Sequence, residues 1–126
     1  MPELPEVETA RRLAERALRG RRIARAKAAP DPIVCSGVSP ARFAAALGGR
    51  RVLAVRRRGK HLFLELDRRP WPLVHLGMSG ALHVSRDGAP LPRFWKAAIT
   101  VEGGARVVLT DPRRLGRVRL PERPEE

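Results

Sequence analysis

The 126 residues carry 26 lysines and arginines against 13 acids, a formal charge of +13 that is mostly arginine. A chain of this length is one domain with room for a real core, and so large a charge excess is poorly explained by a solvated face: it points to a polyanionic partner, DNA, RNA or an anionic surface. A single cysteine, Cys35, excludes an internal disulfide and any zinc site built from several thiolates of this chain. Acids stand where a signal peptide would be basic, and no apolar run approaches the ~18 residues of a membrane span, so a soluble intracellular protein is expected.

The first stretch, Met1-Pro2-Glu3-Leu4-Pro5-Glu6, sets a potential secondary amine beside two carboxylates. If Met1 is removed, Pro2 becomes an N-terminal nucleophile able to form an iminium without a lysine, its amine tuned toward the neutral form by a helix start. Glu3 and Glu6 are then candidates for proton transfer and positioning. The same six residues also suit an ordinary first helical turn, where proline and acids are favoured.

From Leu4 the apolar positions Leu4, Val7, Ala10, Leu13, Ala14, Ala17 and Leu18 recur at helical spacing, with Gly20 as the stop. Glu8 with Arg12 and Glu15 with Arg19 are acid-first pairs that add modest support. Residues 21–29 alternate basic and apolar side chains and read as a strand, broken by Pro30-Asp31-Pro32. Ser39-Pro40 reads as a cap and first turn of a short second helix, with Phe43, Ala44 and Leu47 buried and Gly48-Gly49 ending it. Short Val- and Leu-rich segments follow at 51–58, 61–67, 73–76, 81–85, 97–102, 106–110 and 115–120, the pattern of antiparallel strands; in the second, Leu62, Leu64 and Leu66 face opposite to His61, Phe63 and Glu65. The predicted fold is mainly β with flanking α, two packed antiparallel sheets behind one amphipathic N-terminal helix. Residues 121–126 are proline, acid and arginine and read as a linker or a cut end.

Four further places carry candidate chemistry. Arg56-Arg57-Arg58-Gly59-Lys60-His61 is a basic cluster entering a strand, suited to phosphate contact or to a solvated edge. In His75-Leu76-Gly77-Met78-Ser79-Gly80 the glycines make a tight loop that presents Met78 outward, where an apolar side chain can wedge into a base stack, although methionine is more often core. Thr110-Asp111-Pro112-Arg113-Arg114-Leu115-Gly116-Arg117 offers two or three guanidinium groups around one leucine, suited to filling the hole left by an extruded base, or to an ordinary arginine-rich hairpin. Arg93-Phe94-Trp95-Lys96 interleaves aromatic and basic side chains, with Trp95 read as core.

Taken in order, these motifs resemble the N-terminal catalytic domain of the formamidopyrimidine-DNA glycosylase and endonuclease VIII family over nearly the whole chain. The resemblance implies a β-sandwich over residues 1–120 whose N-terminal helix sets a catalytic proline in a DNA-facing cleft. By that resemblance Pro2 is the nucleophile that attacks C1′, Glu3 assists sugar-ring opening and Glu6 positions the site. Lys60 and His75 meet backbone phosphates, and Met78, Arg113 and Leu115 fill the gap left by the flipped nucleotide. It implies base-excision repair by a bifunctional glycosylase and abasic-site lyase, through a Schiff base and β and δ elimination, with no metal at the reacting centre. The expected partner is double-stranded damaged DNA and no membrane; the expected protein is a monomer, or one completed by a separate C-terminal domain, and is cytoplasmic, bacterial and nucleoid-associated. Two departures stand out. Leu115 replaces a frequent phenylalanine and offers less wedge area, and the family's helix-two-turns-helix and zinc-finger modules have no counterpart here, so no cofactor is expected in this chain. The alternatives are a non-catalytic DNA-binding module that kept the basic cleft and intercalating loop, and an RNA- or ribosome-associated β protein, which gives no role to Pro2, Glu3, Met78 or Arg113.

Overall fold

The computed structural model describes residues 4–122. Helix α1 (Leu4–Leu18) has Glu6 in its first turn and Arg16 in its last, both matched to the helix dipole. It buries Val7, Ala14 and Leu18, with Ala10 and Ala17 packed alongside. Leu4 and Leu13, assigned to the buried stripe by their spacing, are 44% and 36% exposed, because they fall on the flanks of the arc centred on the other three. Gly20, at φ 79°, ends the helix in the left-handed region that favours glycine.

Strand β1 (Ile23–Ala28) leads into a turn organised by Asp31, whose Oδ1 accepts from the backbone N–H of Ile33 at 3.0 Å and Val34 at 3.1 Å. Helix α2 (Pro40–Leu47) is capped as expected: the Ser39 side chain accepts from the Arg42 N–H at 3.1 Å, and Phe43 and Leu47 are buried. Ala44 is exposed, so the buried stripe is narrower than predicted.

Seven strands follow: β2 (Val52–Arg58), β3 (His61–Leu66), β4 (Leu73–His75), β5 (Ala81–Arg86), β6 (Trp95–Val101), β7 (Ala105–Thr110) and β8 (Arg117–Arg119). The β6 strand opens at Trp95, earlier than predicted. The β8 strand is confined to Arg117–Arg119, because the chain before it is spent on a turn. They form two four-stranded sheets, ordered β1-β6-β7-β5 and β2-β3-β4-β8, with every pairing antiparallel. This is the mainly β, two-sheet architecture expected from the strand pattern. Helix α1 packs on β2 and touches β3, β5 and β7, and so bridges the two sheets; α2 packs on β1.

Register decides what each face carries. In β3, Leu62, Leu64 and Leu66 are buried, and Leu62 lies opposite Val74, which lies opposite the buried Val118. Full burial of each leucine contributes roughly 1.5–3 kcal/mol. A one-residue slip would forfeit that and carry His61 inward, so the hydrophobic pattern holds the polar row on the outer face.

Candidate nucleic-acid interface

Sequence-distant motifs are gathered by strand direction. The Glu8 carboxylate meets Arg57 Nε at 3.1 Å, while nearer the other end of α1, Glu15 Oε2 accepts from the Val55 N–H at 3.2 Å. Arg11 Nη1 donates to the Val55 carbonyl at 2.9 Å, closing the clamp. Helix α1 therefore runs opposite to β2, and its first turn lies toward the β2–β3 hairpin tip, Gly59-Lys60. Gly59, at φ 58°, takes the first central position of that two-residue loop, where a right-twisted hairpin calls for glycine. At the same end, His61 pairs with His75 and His75 with Arg117, so β4 leaves and β8 enters there. Hence Glu6, Lys60, the 76–80 loop and the 111–116 turn converge on one end of one sheet. Pro2 and Glu3 lie outside the described residues.

Glu8 carries more than its predicted i, i+4 partner. It binds Arg11 at 2.8 Å, Arg12 at 2.9 Å and Arg57 at 3.1 Å, and these guanidinium groups, Arg11 first, hold its carboxyl well below the usual carboxylate range. The predicted Glu15–Arg19 pair is present but long, at 3.8 Å, and Glu15 also takes Arg11 at 3.1 Å. The network fixes the helix start to the strand that carries the hairpin tip.

The two candidate loops are locked backbone to backbone. A Cβ on Gly77, which has φ 65°, would sit 2.6 Å from the Leu115 carbonyl carbon, and one on Gly116 would sit 2.5 Å from the His75 oxygen. Only glycine permits that approach. The joint is completed by Asp111, a carboxylate only 1% exposed, which accepts from the Ser79 hydroxyl, from the Arg114 N–H at 3.1 Å and from the Gly116 N–H at 2.7 Å. Ser79 Oγ also accepts from the Arg113 N–H at 3.3 Å. A buried carboxylate meeting three donors is strongly satisfied. The joint leaves Met78 and Leu115 projecting, 52% and 41% exposed, with the Arg113 side chain exposed beside them. The outward reading of Met78 is the one the structure takes.

The adjacent arginines part company. Arg114, at φ 58°, turns its guanidinium onto Asp31 in a two-pronged pair, Nε to Oδ2 and Nη2 to Oδ1 both at 2.9 Å. Lys96 adds a 2.8 Å contact to the same Asp31. Arg114 first, then Lys96 and the turn N–H groups, hold the Asp31 carboxyl well below its ordinary range, although its burial acts the other way. Arg117 is held by carbonyls, its Nη1 donating to Gly116 O at 2.6 Å and Arg114 O at 3.3 Å. Of the two or three guanidinium groups read from the sequence, Arg113 alone projects with the leucine; Arg114 is structural and Arg117 joins the sheet face. The sequence reading gave no role to Asp31, Asp111, Ser79 or Lys96; the signal available was an Asp-Pro turn and a Ser between glycines.

His75 Nδ1 accepts from the Gly77 N–H at 3.2 Å, and its ring lies 4.7 Å from that of His61. Burial, followed by His61 and the cations Lys60, Arg117 and Arg119, holds its imidazole below the ordinary value. Trp95 is half-buried at the head of β6. Phe94 is 44% exposed under the Arg93 guanidinium, whose carbon is 4.6 Å from the ring centre.

Cys35 is buried, its Sγ 3.6 Å from the Lys96 carbonyl, with burial and then Asp31 pushing the thiol up. Among the described residues no three His, Cys, Asp or Glu side chains are grouped so as to hold a metal ion. Among the described residues no helix is long and apolar enough to cross a membrane.

Two sheets are bridged by an N-terminal helix in a β-sandwich domain, with a basic hairpin tip, an exposed Met–Arg–Leu cluster and the helix start gathered at one end. The chain belongs to the formamidopyrimidine-DNA glycosylase N-terminal domain family, whose model matches residues 1–118. It is 45% identical over 124 residues to a formamidopyrimidine-DNA glycosylase of Acidiphilium cryptum, covering 95% of this chain and 42% of that protein. To the Arabidopsis thaliana enzyme of the same name it is 36% identical over 137 residues, covering 98% and 35%. Among solved structures it superposes with a TM-score of 0.83 at 28% identity on MutM in complex with DNA containing carbocyclic 8-oxo-G, covering 95% of this chain and 44% of that one. The Lactococcus lactis formamidopyrimidine-DNA glycosylase bound to abasic-site DNA gives the same score at 27% identity, covering 94% and 45%. The chain therefore spans less than half the length of these relatives.

Proposed function

We propose that this chain is the catalytic N-terminal domain of a DNA glycosylase and abasic-site lyase acting on oxidised bases in duplex DNA. The observation that carries the reading is the convergence of the α1 start, Lys60, His75 and the Met78–Arg113–Leu115 cluster on one end of one sheet. Relatives of this architecture have been solved on DNA containing an oxidised guanine analogue and on abasic DNA.

With Met1 removed, the Pro2 nitrogen attacks C1′ of the damaged nucleoside with its lone pair, and the C1′–base bond breaks with the base taking the electrons and a proton. Glu3 delivers a proton to the ring oxygen as the sugar opens to the iminium, while Glu6 positions the amine. Loss of the C2′ proton expels the 3′ phosphate, a second elimination expels the 5′ phosphate, and hydrolysis of the iminium returns the amine. Lys60 neutralises a phosphate and His75 donates a hydrogen bond to the backbone, orienting it around the site. Met78 and Leu115 occupy the space vacated in the stack while Arg113 fills the gap beside them and holds the backbone. Leu115 offers less stacking area than an aromatic ring, so the hold on the opposite base is weaker than a phenylalanine would give.

The test is borohydride trapping on a duplex with one abasic site. Protein with Pro2 as its N-terminus is expected to give a covalent adduct, and protein that retains Met1, whose acyl group blocks the proline nitrogen, is expected to give none. Duplex binding without an adduct from the Pro2 form overturns the enzyme in favour of a non-catalytic DNA-binding module.

A further inference from the structure

Register sets four basic side chains in one line across a whole sheet. Arg58 lies opposite His61, His61 opposite His75, and His75 opposite Arg117, so all four side chains stand on the outer face at one level. With strands ~4.8 Å apart the line is about 14 Å long. One level further from the working end, Arg56, Phe63, Leu73 and Arg119 form a parallel line. Glu65 pairs with Arg56 at 2.5 Å. Among the described residues no carboxylate is within ion-pair distance of Arg58, Arg117 or Arg119. Arg58 and Arg117 thus stand at the two ends of the row with the two imidazoles between them, and Arg117 and Arg119 project from the same face of β8, leaving open cations and hydrogen-bonding rings along one line.

The row has shape as well as charge. His61, Leu73, His75, Arg117 and Arg119 line a depression of about 200 Å³. Because His75 Nδ1 accepts the Gly77 N–H, its neutral tautomer carries hydrogen on Nε2 and leaves that N–H free to donate. The Arg117 guanidinium is oriented by two carbonyls that leave its charge unneutralised.

We propose that this row extends the backbone contact at His75: Arg58, His61, Arg117 and Arg119 seat the sugar–phosphate backbone of duplex DNA across the outer face of β2-β3-β4-β8, with one phosphodiester in the depression. The inference rests on the DNA reading above and extends the grip beyond Lys60 and the gap-filling loops. It gives a domain of this size a backbone track of its own.

The test is the salt dependence of binding to undamaged duplex, by fluorescence anisotropy between ~50 and ~200 mM salt. Removing one cation that neutralises a phosphate lowers the magnitude of the log–log slope by about 0.9. The double variant Arg117→Ser/Arg119→Ser is expected to lower it by between about 1 and 2, and Arg119→Ser alone, an exposed side chain whose loss leaves the fold intact, by about 0.9. The control Arg16→Ser/Lys27→Ser removes the same charge elsewhere and is expected to leave the slope unchanged. An equal drop in the control would show a general charge effect, and an unchanged slope in both sheet variants would show no backbone contact; either result overturns this track while leaving the glycosylase reading intact. No duplex binding by the wild-type chain would overturn both.

Discussion

The outer faces of the two sheets carry matching rows with opposite fates. Across β1-β6-β7-β5, Arg25 lies opposite Thr100, Thr100 opposite Arg106, and Arg106 opposite Ser85. Arg25 is paired with Asp87, and Arg106, only 7% exposed, donates to Ser85 Oγ at 2.9 Å and to the Pro90 carbonyl at 3.4 Å. Across β2-β3-β4-β8 the corresponding row of Arg58, His61, His75 and Arg117 meets no carboxylate among the described residues. A charge excess of +13 is therefore unevenly distributed. In the first row Arg25 and Arg106 spend their charge on internal partners and are structural; in the second the charge is left open, as the proposed DNA track requires. Net charge gives the class of partner, and pairing tells which face meets it.

That contrast predicts large stability effects where charges are paired and almost none where they are left open. The largest is expected at Asp31, which joins the turn after β1 to Lys96 of β6 and to Arg114 of the loop entering β8. Asp31→Ala strands two cations, one of them nearly buried. It is expected to lower unfolding free energy in urea by about 2–4 kcal/mol, below the full cost of breaking a buried pair because Arg114 is 45% exposed. Next is Gly77→Ala, whose methyl would meet the Leu115 backbone at 2.6 Å in a left-handed conformation. A loss of about 1–3 kcal/mol is expected, with chemical-shift changes at both Met78 and Leu115.

Acid sharpens the same contrast. The folded Asp31 carboxyl lies below its unfolded value of ~3.9, so its stabilisation is fully present above that pH and is lost as pH falls toward the folded value. The stability gap between wild type and Asp31→Asn is thus constant near neutrality and narrows below pH ~4; a gap that widened in acid would contradict the assignment. The smallest stability effect is expected at the open end. Arg113→Ala should change unfolding free energy by no more than about 0.5 kcal/mol, yet lower duplex affinity and reduce the salt slope by about 0.9. An unchanged slope would show that Arg113 does not meet phosphate.

Local signals made much of the fold legible. Helix α1 ran from its acidic first turn to Gly20, α2 from Ser39 to Gly48, and the Gly59-Lys60 hairpin stood between alternating segments, because caps, turns and period-two patterns act over a few residues. The exposed Met78 was legible for the same reason, set between Gly77 and Gly80 that force a tight loop, whereas Leu115, read as opening a strand, lies in the turn before β8. Arg114 was not, since its inward turn depends on Asp31, far away in the chain, and two adjacent arginines look alike in sequence. Asp111 was hidden in an Asp-Pro turn whose carboxylate is buried only once the 76–80 loop closes over it. The row from Arg58 to Arg117 exists only through the register of four strands, which alternation restricts to one face but does not align.

The central claim is that the reacting group of this working end is the Pro2 amine, and the most direct measurement is the site of attachment in the borohydride-trapped complex with abasic duplex. Tryptic digestion of the adduct followed by tandem mass spectrometry is expected to find the reduced sugar on the peptide of residues 2–11, at the proline nitrogen. A sugar found instead on Lys60, or no adduct from protein confirmed to begin at Pro2, would contradict it.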